Sequence, residues 1–149
     1  MGSGSLRQRG QTTFRNRCRE AAEQFPVLLI TGPRQVGKTS LLEHLREPAR
    51  SYVTLDDMNL RALAKSDPPL LLQRFPPPVL IDEVQYAPEL FPAIKMQADR
   101  SPTPGGFWLT GSQSFPLMKG ISESLAGRVA ILNLLGFSAR EADRRPADI

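Results

Sequence analysis

The sequence predicts an α/β fold, a three-layer sandwich in which helices cover both faces of a parallel β-sheet. Five short apolar segments recur along the chain, and segments with helical spacing separate them. A glycine-rich loop joins the first apolar segment to the helix that follows it. Strands that alternate with helices in this way favour right-handed parallel crossovers. A length of 149 residues is the usual size of one compact domain.

The first half of the chain is predicted to alternate helix and strand. Apolar residues from Phe14 to Phe25 recur at helical spacing, which indicates an amphipathic helix over residues 12–24. Val27 to Thr31 is a short apolar run of the kind that is buried on both faces of a parallel sheet. The next predicted elements are a helix over 38–47 with inward-facing leucines, a strand over 51–55 and, after an acidic pair, a helix over 59–65.

The second half repeats the alternation, with prolines marking where elements begin. Pro68 and Pro69 can open a helical turn through residue 72, and the prolines at 76–78 precede an apolar strand over 79–81. The remaining predictions follow from apolar runs and helical spacing. They are a helix over 88–99, strands over 106–110 and 129–134, a short helix over 122–126 and a helix start over 138–143.

Composition excludes several classes of protein. Hydrophobic residues make up 40% and charged residues 23%, so the chain does not have the composition of a disordered protein. No apolar run approaches the ~18 residues needed to cross a bilayer, and the first residues lack the apolar core of a signal peptide. Cys18 is the single cysteine, which excludes an internal disulfide. We expect a cytoplasmic protein without a membrane partner.

Basic residues concentrate at the N-terminus. Residues 1–25 hold five arginines against two glutamates, which gives +3 of the formal charge of +4. Contact with nucleic acid phosphates is one interpretation, and a solvated arginine-rich helix face is the more common one. We interpret residues 1–10 as a flexible arm or a cloning remnant, and residues 144–149 as a polar tail.

The loop after the first strand has the G-x-x-x-x-G-K-[ST] pattern of a phosphate-binding P-loop. Its glycines let successive N–H groups approach phosphate oxygens, and the next helix adds its positive N-terminal end. Lys38 supplies a cation for the β and γ phosphates, and the Thr39 hydroxyl can coordinate Mg²⁺. The predicted nucleotide site comprises Gly32, Pro33, Arg34, Gln35, Val36, Gly37, Lys38, Thr39 and Ser40.

Two carboxylates follow the third predicted strand. Asp82 and Glu83 come directly after the apolar run 79–81, and ligands of open α/β sheets bind at the carboxyl ends of strands. Asp82 is in a position to hold Mg²⁺, and Glu83 to orient or deprotonate an attacking water. Together with the P-loop, the pair favours an ATPase over a phosphotransferase. We find no Asn-Lys-x-Asp segment of the kind with which GTPases bind guanine.

With these segments, the chain resembles the prokaryotic AAA-type ATPases whose ATPase core usually precedes a C-terminal domain of unknown function. The resemblance spans residues 11–143 and implies a five-stranded parallel P-loop NTPase sheet in the order 5-1-4-3-2. Five ordered segments carry it. They are GPRQVGKT at 32–39, LDD at 55–57, IDEVQYAPELF at 81–91, LTGSQ at 109–113 and ESLAGR at 123–128.

The resemblance also implies roles for three further residues. Thr110 and Ser112 would lie near the γ-phosphate, although as hydroxyl residues they also suit a simple turn. Arg128 resembles an arginine finger, which a neighbouring subunit can supply, and it would then require a homo-oligomer. A surface salt bridge is the alternative for Arg128.

Two functions follow as hypotheses. In the first, the chain hydrolyses ATP with Mg²⁺, with Glu83, Lys38 and Arg128 as catalytic residues, and hydrolysis drives a conformational change in an attached or partner module. In the second, ATP gates binding to a protein or to DNA, with little hydrolysis. The sequence ends soon after the fifth strand, so we expect only the ATPase core, without a helical lid or the C-terminal domain.

Overall fold

The computed structural model describes residues 14–32 and 38–134, and of residues 38–41 only the backbone. The predicted N-terminal arm, the helix start at 138–143 and the C-terminal tail therefore lie outside the described residues. Within the described ranges, no helix is both long and apolar enough to cross a membrane.

Five parallel strands form one sheet. They are β1 (Val27–Thr31), β2 (Ser51–Thr54), β3 (Val79–Asp82), β4 (Phe107–Gly111) and β5 (Val129–Asn133). The strand order is β2-β3-β4-β1-β5, and every neighbouring pair is parallel. Read from the opposite edge this order is 5-1-4-3-2, which confirms the prediction. All five strands lie within two residues of their predicted bounds. Four of them are mainly apolar runs, and β2, with the sequence SYVT, is the exception.

Helices lie on both faces of the sheet. They are α1 (14–24), α2 (Lys38–Leu45), α3 (Met58–Ser66), α4 (Pro68–Arg74), α5 (Leu90–Arg100) and α6 (Phe115–Leu125), with a 3₁₀ helix at Val84–Tyr86. Successive residues of a strand point to opposite faces, so Leu29 and Leu109 join the core under α3 to α6. Leu28 and Trp108 join the core under α1 and α2. The three-layer prediction is confirmed.

A helix precedes β5 as predicted, but its predicted start was wrong. A short helix was expected over 122–126, but α6 begins at Phe115. Ser114 caps it by accepting a hydrogen bond from the Leu117 N–H, and a proline occupies the first turn. Gly120 lowers helix propensity, but its missing side chain makes room for Phe91, since a Cβ there would lie 3.2 Å from the ring. The sequence also gave no indication of the 3₁₀ helix.

A buried arginine joins the amino ends of three strands. Arg50 precedes β2 and is only 4% exposed. Its Nη1 donates to the carbonyls of Val79 (3.2 Å) and Gly106 (3.1 Å), and its Nη2 donates to the carbonyl of Gly105 (2.7 Å). The guanidinium also lies 3.9 Å from the ring centroid of Trp108. Arg50 therefore fixes the edge of the sheet that is opposite the carboxyl ends of the strands.

Candidate functional site

Three neighbouring strands bring the predicted site residues to one edge of the sheet. In the sheet, β4 lies between β3 and β1, and the carboxyl ends of parallel strands share an edge. Asp82 ends β3, Thr110 is the next-to-last residue of β4, and Gly32 follows β1. Ser112 lies in the segment after β4, where its carbonyl accepts a hydrogen bond from the Ser114 N–H. The fold thus gathers residues that are distant in sequence.

Hydroxyl groups from two strands hold the Asp82 carboxylate. Asp82 is 5% exposed. Its Oδ1 accepts a hydrogen bond from the Thr110 hydroxyl, and its Oδ2 accepts from Tyr52 (3.0 Å) and Thr54 (3.4 Å). Burial and the charge of Asp82 raise the pKa of Tyr52 to about 12, so the phenol keeps its proton and remains a donor. These contacts fix the direction of a carboxylate that is almost fully out of water.

Glu83 has an unusual backbone conformation. Its φ of 63° and ψ of 50° are left-handed, which costs a residue with a side chain about 1–2 kcal/mol. The Glu83 N–H donates to the Thr110 hydroxyl at 3.1 Å, and its Oε1 accepts from the Gln85 Nε2 at 2.7 Å. The residue is 4% exposed. Left-handed strain of this kind clusters at functional sites, and here it turns the chain from β3 into the 3₁₀ helix.

A third carboxylate lies beside this pair. Asp56 follows β2 and is exposed, and one carboxylate oxygen from each of Asp56, Asp82 and Glu83 lies within 4.8 Å of the other two. Carboxylate oxygens are the ligands that Mg²⁺ prefers. The donor set therefore fits a hard divalent cation.

The P-loop is described only at its two ends. Gly32 is buried and has a φ of 153°, which lies outside the range that other residues favour. The backbone becomes helical at Lys38, where α2 begins. Predictions for Pro33, Arg34, Gln35, Val36 and Gly37, and for the side chains of Lys38, Thr39 and Ser40, lie outside the described residues.

Arg128 is not brought together with the other predicted site residues. It precedes β5, and its carbonyl accepts a hydrogen bond from the Val27 N–H at 3.1 Å, which places its backbone at the amino edge of the sheet. Its side chain makes a bidentate ion pair with Asp99, with Nε–Oδ1 at 2.6 Å and Nη2–Oδ2 at 3.1 Å. The guanidinium donates to Asp99 and lowers the pKa of that carboxyl.

Sequence reasoning gave no site role to four residues that lie here. Asp56 had a usable signal, since a carboxylate directly after a parallel strand lies at the ligand-binding edge. Tyr52 and Thr54 are two residues apart in β2 and therefore point to the same face of the sheet. Nothing in the sequence indicates that their side chains contact Asp82. Gln85 lies in the segment 81–91 that carries the resemblance, but no role was predicted for it, because the 3₁₀ helix that turns it toward Glu83 was not predicted.

Comparisons with known proteins give a family match and two related sequences for this chain. A family model described as an AAA domain matches residues 24–142. The chain is also 40% identical over 132 residues to two uncharacterized proteins, Mb2031c of Mycobacterium bovis and Rv2008c of Mycobacterium tuberculosis. Each match covers 89% of this chain and 30% of the relative. The chain thus spans about a third of the length of these relatives.

Proposed function

The chain belongs to the AAA-type P-loop ATPase family, and we propose that this ATP-binding domain hydrolyses ATP with Mg²⁺ and thereby drives a conformational change in an attached or partner module. One observation carries the proposal. Asp82 and Glu83 lie side by side at the carboxyl edge of the sheet, both are at least 95% buried, and both bind the Thr110 hydroxyl. A phosphotransferase has less need of the second carboxylate, since its substrate supplies the nucleophile.

In this proposal the loop after β1 binds the phosphates. Lys38 and the backbone N–H groups of residues 32 and 34–39 would hold the β and γ phosphates, since Pro33 has no N–H. Arg34, Gln35 and Ser40 would lie close to them. Asp82 and the Thr39 hydroxyl would hold Mg²⁺, which supplies positive charge to the phosphate oxygens when it is bound. The proximity of three carboxylates supports a cation here, because a cation offsets their mutual repulsion.

Glu83 is the proposed general base. In the reaction, the oxygen of a water bonds to the γ-phosphorus while the bond from that phosphorus to the bridging oxygen of ADP breaks. Glu83 accepts the proton that the water loses, and ADP and phosphate leave. Thr110 and Ser112 act near the γ-phosphate, where Thr110 also holds the Glu83 N–H. The low exposure of Glu83 supports this role, because a shielded carboxylate does not exchange its contacts with bulk water.

Paired substitutions test binding and hydrolysis separately. Lys38→Ala is expected to weaken ATP affinity by at least tenfold, whereas Lys65→Ala, at an exposed lysine of α3, is expected to leave it unchanged. Glu83→Gln is expected to keep ATP affinity and lose about 100-fold in turnover, since general base catalysis contributes roughly 10²–10⁴-fold. Titration with a fluorescent ATP analogue and a phosphate-release assay measure the two quantities.

Two results would change the proposal. Equal ATP affinity in the wild-type chain and Lys38→Ala would contradict a site at the P-loop. ATP binding without turnover in the wild type would instead favour the alternative, a module whose binding to protein or DNA is gated by nucleotide.

A further inference from the structure

Gln85 makes a direct contact with the proposed general base. It lies in the 3₁₀ helix Val84–Tyr86, two residues after Glu83, and it is half-buried. Its side chain reaches back so that Nε2 donates to the Glu83 Oε1 at 2.7 Å. A hydrogen bond from an amide to a carboxylate is short and directional. Gln85 therefore constrains the direction of the Glu83 side chain.

The other end of the Gln85 amide is enclosed. Its Oε1 is buried and has no hydrogen-bond partner among the described residues. The oxygen lies against Gly111 at the end of β4, where an added Cβ would be 3.0 Å from it and 2.8 Å from Cδ2 of Leu117. The absence of a side chain at Gly111 therefore leaves room for the amide. Rotating the amide by half a turn would set Oε1 against the Glu83 carboxylate, which charge repulsion disfavours.

Stability alone does not account for a glutamine at this position. A buried acceptor without a partner costs about 1–3 kcal/mol relative to a satisfied one, and an apolar side chain of the same size would avoid that cost. The contact with Glu83 gives the amide another role. Glu83 has a strained backbone, and its N–H is already held by Thr110. The hydrogen bond from Gln85 acts directly on the carboxylate.

We propose that Gln85 is a positioning residue, which holds the Glu83 carboxylate in the direction required for deprotonating the attacking water. The inference rests on the proposed ATP hydrolysis. In this proposal Gln85 acts through Glu83 and not through contact with ATP, so its loss should lower kcat and leave ATP affinity unchanged. A displacement of about 1 Å in a catalytic group can cost on the order of 10²-fold in rate, and we expect a loss of about tenfold or more.

Gln85→Leu separates a positioning role from a structural one. Leucine is close in size and removes both the contact with Glu83 and the unpaired oxygen. The variant is expected to unfold at the same or higher denaturant concentration than the wild type, to bind ATP within about twofold, and to turn over ATP about tenfold more slowly. Gln73→Leu, at an exposed glutamine of α4, is the matched control and should keep wild-type turnover.

A double-mutant cycle tests whether Gln85 acts through Glu83. In the Glu83→Gln background, adding Gln85→Leu should cause no further loss, because the carboxylate to be positioned is already absent. A further loss equal to that in the wild-type background would overturn the inference, as would wild-type turnover in Gln85→Leu. Parallel losses of stability and turnover would also overturn it, in favour of a structural role. If the wild type and Glu83→Gln turn over ATP equally, the proposed function itself fails, and this inference fails with it.

Discussion

Thr110 holds the carboxylate of Asp82 and the backbone of Glu83. It is fully buried in β4, and its single hydroxyl donates to the Asp82 carboxylate and accepts from the Glu83 N–H. A hydroxyl can do both because it has one hydrogen and two lone pairs. The loss of this one hydroxyl therefore affects both Asp82 and Glu83.

Thr110→Val is expected to reduce stability and turnover together. Valine has the same shape but leaves the buried Glu83 N–H without its partner, which costs about 1–3 kcal/mol. We expect the free energy of unfolding to fall by about 2 kcal/mol and ATP turnover to fall as well, measured by urea denaturation and phosphate release. Thr31→Val is the control, since Thr31 is equally buried in β1 but its hydroxyl makes only a 3.5 Å contact with the Leu132 carbonyl. An equal loss in both variants would contradict the role of Thr110.

The position of a candidate site residue could be predicted where the residue directly follows a strand. Asp82 and Glu83 follow an apolar run, and parallel topology is sufficient to place them at the ligand-binding edge. Gln85 is different, because its direction depends on a left-handed Glu83 and on the 3₁₀ helix that follows. Neither feature has a sequence signal, since a left-handed conformation is unexpected at a glutamate.

At the scale of elements, strands were easier to predict than helices. An apolar run buried on both faces defines a strand by itself, whereas helix bounds depend on caps and on tertiary contacts. Helix α6 illustrates this, because Gly120 argues against a helix until its contact with Phe91 is known. Ser114 and Pro116 were available signals for its start, and combining them with the apolar spacing of Leu117 and Ile121 would have found it.

A prediction at the scale of elements concerns Arg50, which joins the amino ends of β2, β3 and β4. Arg50→Ala is expected to lower the free energy of unfolding by about 3 kcal/mol, because it removes the guanidinium donors from three strand-end carbonyls and opens space beside Trp108. Urea denaturation measures the change. Arg74→Ala, at an exposed arginine that ends α4, should stay within about 0.5 kcal/mol of the wild type. If Arg50→Ala and Arg74→Ala have the same free energy of unfolding, Arg50 does not join the strands as described.

At the scale of the whole molecule, Arg128 and the proposed ATP site lie at opposite edges of the sheet. Val129 and Asn133 bound β5, a separation of about 13 Å in a parallel strand. Arg128 lies at the amino edge, and the site residues Asp82 and Thr110 lie at the carboxyl edge. A catalytic role for Arg128 is therefore proposed only between two copies of the chain, after its ion pair with Asp99 opens.

Mixing two inactive variants tests this role. Arg128→Ala keeps the proposed base, and Glu83→Gln keeps the arginine, so a mixed interface pairs an intact base with an intact arginine. If Arg128 acts between copies, the mixture should turn over ATP faster than either variant alone, and wild-type turnover per chain should rise with protein concentration. Arg100→Ala, at an exposed arginine of α5, should behave as the wild type. No recovery on mixing, together with concentration-independent wild-type turnover, would leave Arg128 as a surface ion pair.

Single-turnover cleavage of ATP by Glu83→Gln tests the central claim most directly. With the chain and Mg²⁺ in excess over ATP, the rate reports the chemical step and is independent of product release. The wild type should convert the bound ATP to ADP, Glu83→Gln should bind the same amount and cleave it about 100-fold more slowly, and Glu123→Gln, at an exposed glutamate of α6, should match the wild type. Cleavage by Glu83→Gln at the wild-type rate would contradict the assignment of Glu83 as the general base.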